Sequence, residues 1–103
     1  MDYNLIITRH AEQLLDEIVQ YLLFHLSNPE AAASLLDDLS QAYETLRKSG
    51  GSFALCQDPY LASKDYRKLK LKNHDYVIVY KIMDKNIRID GIFHTLENYG
   101  DKL

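Results

Sequence analysis

Cysteine is nearly absent from this chain: Cys56 is the only one among 103 residues. A lone thiol excludes an intramolecular disulfide and any metal site built on several cysteines, and leaves the expected role of a small apolar filler. Long apolar runs are missing as well. The opening segment, MDYNLIITRH, has an apolar stretch that stops at Thr8, too short for a signal peptide or a membrane span. A cytoplasmic location without membrane contact is therefore expected. Internal repeats, low-complexity stretches and interdomain linkers are lacking, so residues 1–103 are expected to form one domain.

Net positive charge is also missing. The formal charge is −3 and the pI about 5.7, which argues against a general nucleic-acid binder. The distribution is more informative than the sum. Residues 9–49 carry three basic side chains (Arg9, Arg47, Lys48) against seven acidic ones (Glu12, Asp16, Glu17, Glu30, Asp37, Asp38, Glu44). Residues 66–94 reverse the balance, with seven basic (Arg67, Lys68, Lys70, Lys72, Lys81, Lys85, Arg88) against three acidic (Asp75, Asp84, Asp90). An acidic half and a basic half fit a protein with two different binding surfaces.

What is present is a globular pattern, with 47% hydrophobic residues. Asp2 to Ile7 reads as a short strand with Tyr3, Leu5 and Ile7 on one side. Thr8 is placed to cap a helix starting at Arg9, in which Ala11, Leu14, Leu15, Ile18, Leu22 and Leu26 follow helical spacing. Asn28-Pro29 restarts the helix, asparagine as N-cap and proline at the first helical position. The second helix is expected to bury Ala32, Leu35, Leu36, Leu39, Tyr43 and Leu46, and to stop at Gly50-Gly51 through the left-handed conformation that glycine tolerates. So short a connection predicts an antiparallel helix hairpin. Residues 52–65 read as loop, with a short strand near Phe53–Leu55.

Three strands follow, at about 66–72, 75–83 and 86–94, joined by two-residue turns at Asn73-His74 and Asp84-Lys85. The order β-α-α-β-β-β predicts an α+β fold, its helix hairpin packed on one face of a small, antiparallel-dominated sheet. Those turns set a register in which Leu71 faces Tyr76, Leu69 faces Ile78, Arg67 faces Tyr80, Ile82 faces Ile87, Tyr80 faces Ile89 and Tyr76 faces Phe93. This apolar set would meet the helices. The opposite face would carry Lys68, Lys70, Lys72, Val77, Val79, Lys81, Arg88, Asp90, Ile92 and His94, with Lys72 opposite Asp75 and Asp75 opposite His94.

Such a face predicts phosphate contacts by Lys68, Lys81 and Arg88. It also holds the groups that metal-independent RNA cleavage requires: a base for the ribose 2′-hydroxyl, a cation at phosphorus, and an acid for the leaving oxygen. Lys70 and Lys72 would be cation or base, and His94 or Tyr99 the acid. No cofactor is expected. The alternative role for the lysines is protection of an exposed sheet face, and for Tyr99 an anchor of the C-terminus.

In order and spacing the chain resembles the RelE/ParE superfamily, the toxin halves of bacterial type II toxin–antitoxin systems. The residues that carry the resemblance are the opening strand with Ala11 after it, the restart at Pro29-Glu30-Ala31-Ala32, Tyr66-Arg67-Lys68-Leu69 followed by Tyr76-Val77-Ile78-Val79-Tyr80, and an ending with His94 and Tyr99. The resemblance implies a growth-inhibiting toxin of the plasmid-stabilising kind, held as a hetero-oligomer by a cognate antitoxin that covers its working face. One branch cleaves mRNA on the ribosome, and Lys68, Lys70 and Lys72 match basic positions of that branch. Another branch inhibits DNA gyrase without enzymatic activity. Val77, Leu96 and Glu97 stand where the nuclease branch usually has arginine, which removes phosphate-stabilising charge and raises the gyrase branch or an attenuated toxin homologue that binds antitoxin, while the lysine row and His94 keep ribosome-dependent mRNA cleavage open.

Overall fold

The computed structural model describes residues 2–103. Strand β1 (Asn4–Ile7) leads into helix α1 (Arg9–Gln20), which winds into a π turn over Tyr21–His25. Helix α2 (Pro29–Ser49) is followed by a 3₁₀ turn at Gly50–Ser52 and a short helix α3 (Pro59–Ser63). The remainder is strand β2 (Arg67–Lys70), β3 (Tyr76–Met83), β4 (Asn86–His94) and a 3₁₀ turn over Tyr99–Lys102. The sheet order is β1-β4-β3-β2, with β1 parallel to β4 and the other pairs antiparallel. This is the expected α+β architecture, a helix hairpin on an antiparallel-dominated sheet.

Both helix starts follow the sequence signals. The Thr8 hydroxyl oxygen accepts from the Ala11 amide at 3.1 Å and donates to the Ile89 carbonyl at 3.0 Å, so one side chain caps α1 and ties it to β4. Asn28 accepts from the Ala31 amide at 3.0 Å, with Pro29 at the first helical position. The main core then forms between the hairpin and one sheet face, from Leu35, Leu39 and Leu46 against Ile78, Tyr80, Ile87, Ile89 and Ile92. The Tyr80 hydroxyl, fully buried there, donates to the Gly50 carbonyl at 2.7 Å.

Several expectations are corrected. Leu26, just after the π turn, is exposed, and so is Leu36, because the buried stripe of α2 runs through Leu35, Asp38, Leu39, Ala42 and Leu46. Gly50 does end α2, but at φ −56°, a right-handed conformation. Its requirement is space: a Cβ there would lie 2.2 Å from Ile87 Cδ1. The stretch expected as loop contains α3, started by Asp58, which accepts from the Tyr60 and Leu61 amides at 2.8 and 3.1 Å. Only an isolated bridge from Leu55 to Arg67 marks the expected short strand.

The turn after β2 spans more residues than Asn73-His74, since Leu71 N donates to Tyr76 O at 2.9 Å and Lys72 pairs with nothing across the turn. The register of β2 on β3 is nonetheless as expected, Arg67 opposite Tyr80 and Leu69 opposite Ile78. On the other side Ile82 faces Ile87 and Tyr80 faces Ile89, but Val79 then faces Gly91. Asp90 is the extra residue of a β-bulge, and every later residue of β4 changes face. Tyr76 therefore faces His94 rather than Phe93, Val77 faces Phe93, and Thr95 rather than His94 bonds Asp75. Ile92 and His94 turn toward the helices. Phe93 goes to the opposite face, where it joins Val77, Val79, Cys56, Leu61 and Tyr66 in a second buried cluster. The face expected to be open and cationic is thus a small core, covered by α3 and the C-terminal residues.

Candidate functional site

Lys70 and Lys72 rim a groove of about 240 Å³ between α2 and the edge strand β2. Its lining includes Ala42, Phe53 and Leu69, apolar residues brought together because α2 crosses the sheet above β2. The Arg67 guanidinium donates to the Phe53 carbonyl and holds that wall. Lys70 Nζ bonds the carbonyls of Leu71 and His74 at 3.0 and 3.2 Å and lies 3.8 Å from Asp75. At the end of the groove Asp38 is buried, its Oδ2 accepting from the Asn73 amide at 2.8 Å and lying 2.8 Å from His74 Nδ1. A carboxylate only accepts, so Nδ1 carries the proton. Burial acts to raise the Asp38 pKa, but the His74 ring and the Asn73 amide outweigh it and hold the carboxyl below the ordinary aspartate value. The pair pins the β2–β3 turn to α2.

Lys68 belongs to a different cavity, about 260 Å³ in volume and lined by polar groups of Asp58, Thr95 and Asn98 together with Tyr99. Tyr99 stacks on Phe93 with ring centroids 5.2 Å apart, so it anchors the C-terminal turn over the second cluster. Glu97 closes the same turn: it accepts from the His94 amide at 3.1 Å and pairs with Lys102.

His94 stands apart from every lysine of the expected row. Its ring meets Tyr76 edge-on at 5.4 Å, and Nδ1 accepts from the Leu96 amide at 3.2 Å. The neutral ring therefore holds its proton on Nε2. Arg88 and Lys81 are engaged as well. Arg88 donates to Asp90 through Nε at 2.7 Å and Nη2 at 2.8 Å, the Tyr66 hydroxyl donates to Asp90 at 2.6 Å, and Lys81 lies over the Tyr66 ring at 4.4 Å. Burial and the Asp90 carboxylate push the Tyr66 phenol up to about 12.

The structure thus brings together Lys70 and Lys72 at one groove, and Lys68 and Tyr99 at one cavity; His94, Lys81 and Arg88 join neither. Among the described residues no three His, Cys, Asp or Glu side chains form a metal site. The arrangement offers binding surfaces with fixed charges. Two networks escaped the sequence reading. Asp38 falls between Leu35 and Ala42 on the apolar stripe of α2, and that position was its signal. Asp90 precedes Gly91 inside a strand, the usual mark of a bulge.

Among solved structures the chain is similar to a chromosomal ParDE toxin–antitoxin system from P. aeruginosa, with TM-score 0.73 and 23% identity over 89% of this chain and 95% of that one. It is also similar to a mutant of the E. coli toxin RelE in the free state, with TM-score 0.57 and 17% identity over 99% and 93%. No curated protein sequence matches significantly. The family model for the ParE toxin of the type II toxin–antitoxin system parDE matches residues 5–99, from β1 through both helices and all the later strands to Tyr99, and the chain accordingly belongs to the ParE toxin family.

Proposed function

We propose that this toxin acts by protein contact, as an inhibitor of DNA gyrase, and that a cognate antitoxin neutralises it. The observation that carries the reading is the bulge at Asp90. It turns His94 out of the row predicted for the lysines, onto an edge-on contact with the Tyr76 ring and with Nδ1 taken by the Leu96 amide, an arrangement that supports binding rather than proton exchange at a phosphate. Arg88 and Lys81, two further cations of the strand block, are committed to Asp90 and Tyr66. Phosphate-stabilising charge is low elsewhere too, with Val77 buried and Leu96 and Glu97 where arginine would serve RNA.

Induced expression in bacteria, read by microscopy and by mRNA integrity, tests the proposal. Filamentation and DNA damage with intact mRNA, together with loss of supercoiling by gyrase mixed with the purified chain, are expected. Rapid mRNA cleavage at the ribosome would overturn it in favour of an endoribonuclease. A harmless chain that still binds its antitoxin would leave an attenuated homologue.

A further inference from the structure

We propose that the end of helix α1 and its π turn form a docking site for an arginine-bearing segment of the target protein. The inference rests on the reading that this toxin acts by protein contact. The π turn over Tyr21–His25 closes on a bond from the Leu26 amide to the Tyr21 carbonyl at 3.1 Å, a widened geometry that recurs at functional sites. Leu22 still packs against the core, whereas Tyr21, Phe24 and Leu26 are 51%, 75% and 53% exposed. Together with Glu17, Gln20 and His25, the two aromatic rings line an open cleft of about 310 Å³. Tyr21 stacks on His25 with ring centroids 5.3 Å apart, which fixes one wall of it. Large apolar side chains grouped in this way and rimmed by polar ones mark a contact surface rather than scattered exposure.

Charge selects the occupant. No lysine or arginine stands between Arg9 and Arg47. Glu12, Asp16 and Glu17 of α1 are exposed, and among the described residues none of the three forms an ion pair. A free carboxylate beside two exposed aromatic rings suits a guanidinium, which pairs with the one and stacks on the other. Tyrosine and arginine are also the side chains in which interfaces concentrate their binding energy. An enzyme that handles DNA holds phosphates with lysine and arginine, so the target of that reading offers such cations. The basic half of the chain, at Lys70 and Lys72, would repel the same segment.

The test uses the full chain and has two arms. In one, amide NMR follows a peptide of alternating arginine and leucine, with glutamate–leucine and arginine–glycine peptides as controls. The arginine–leucine peptide should shift the amides from Glu17 to Leu26. The double variant Tyr21→Ala/Phe24→Ala, altered only at exposed positions, should weaken it at least about tenfold. Glu17→Lys, which leaves both rings in place, should weaken it as well. Equal binding of either control, no binding, or shifts centred elsewhere would overturn the proposal, as would self-association of the free chain that the double variant abolishes. In the other arm, purified gyrase is mixed with the wild type or the double variant, and the variant should bind and inhibit at least about tenfold more weakly. A variant as potent as the wild type overturns the docking site and leaves the gyrase reading intact. A wild-type chain that ignores gyrase yet binds the arginine–leucine peptide at Phe24 refutes the gyrase reading and leaves the docking site standing.

Discussion

Tyr66 and Asp90 meet in a buried hydrogen bond of 2.6 Å across 24 positions of sequence. The bond fixes the extra residue of the β4 bulge in place, because the same carboxylate also receives the fork of Arg88. Tyr66 thereby sits at a joint that decides the orientation of everything after it in β4.

Replacing Tyr66 with Phe should cost about 1.5–3 kcal/mol, the usual effect of removing one hydrogen bond to a charged group. Chemical denaturation would measure it. The phenol, held up to about 12 by burial and by Asp90, should stay protonated in ultraviolet titration until well past the range of an exposed tyrosine. A normal titration would show that the bond is absent.

Asp38 should make the fold sensitive to acid. Its folded pKa is depressed below the ordinary aspartate value, so its stabilising contribution is complete above the unfolded pKa and disappears as pH falls through the folded one. Wild-type protein should thus lose stability as pH drops below about 4. Asp38→Asn should be less stable near neutrality and show a flatter acid limb in denaturation midpoints. Parallel pH profiles for the two proteins would contradict the assigned hydrogen bonds of Asp38.

Gly91→Ala should destabilise through crowding. A Cβ at that position would stand 2.4 Å from the Phe93 ring, which is itself stacked under Tyr99. Overpacking of this kind costs about 1–3 kcal/mol, and the near-ultraviolet circular dichroism of the stacked pair should change with it. A variant of unaltered stability and spectrum would mean that the ring has room to move.

His94→Ala should remain toxic, with stability lowered by about 1 kcal/mol for the lost acceptor of the Leu96 amide. The checks are growth on induction and a denaturation curve. Loss of toxicity in a variant that folds normally would return the imidazole to the mechanism.

The sequence was most legible where one residue type has one local job. Thr8 and Asn28 announced two helix starts, and Asp84-Lys85 announced a turn that the structure keeps, with Asp84 at φ 62°. Asp58-Pro59 had the same capping chemistry, but its helix is five residues long, too short for an apolar period to show. Register was legible along all of β2 on β3, and between β3 and β4 only as far as the Tyr80–Ile89 pair, because a bulge depends on tertiary partners, here Tyr66 and Arg88, that alternation does not encode. The candidate site suffered from that single residue. Counting by twos placed His94 beside the lysines and Phe93 beneath the helices, and one unpaired aspartate exchanged them.

The parallel pairing of β1 with β4 joins chain segments at a separation of 81 residues, as in the Thr8–Ile89 bond. Contacts so far apart form late in folding, since a long loop must close before they return any stabilisation. During synthesis β1 and the hairpin leave the ribosome before the strand they require exists. Their apolar faces must wait, and the finished sheet appears only once β4 has emerged. The four-stranded sheet, and every surface that depends on it, is therefore completed only after β4 has been made.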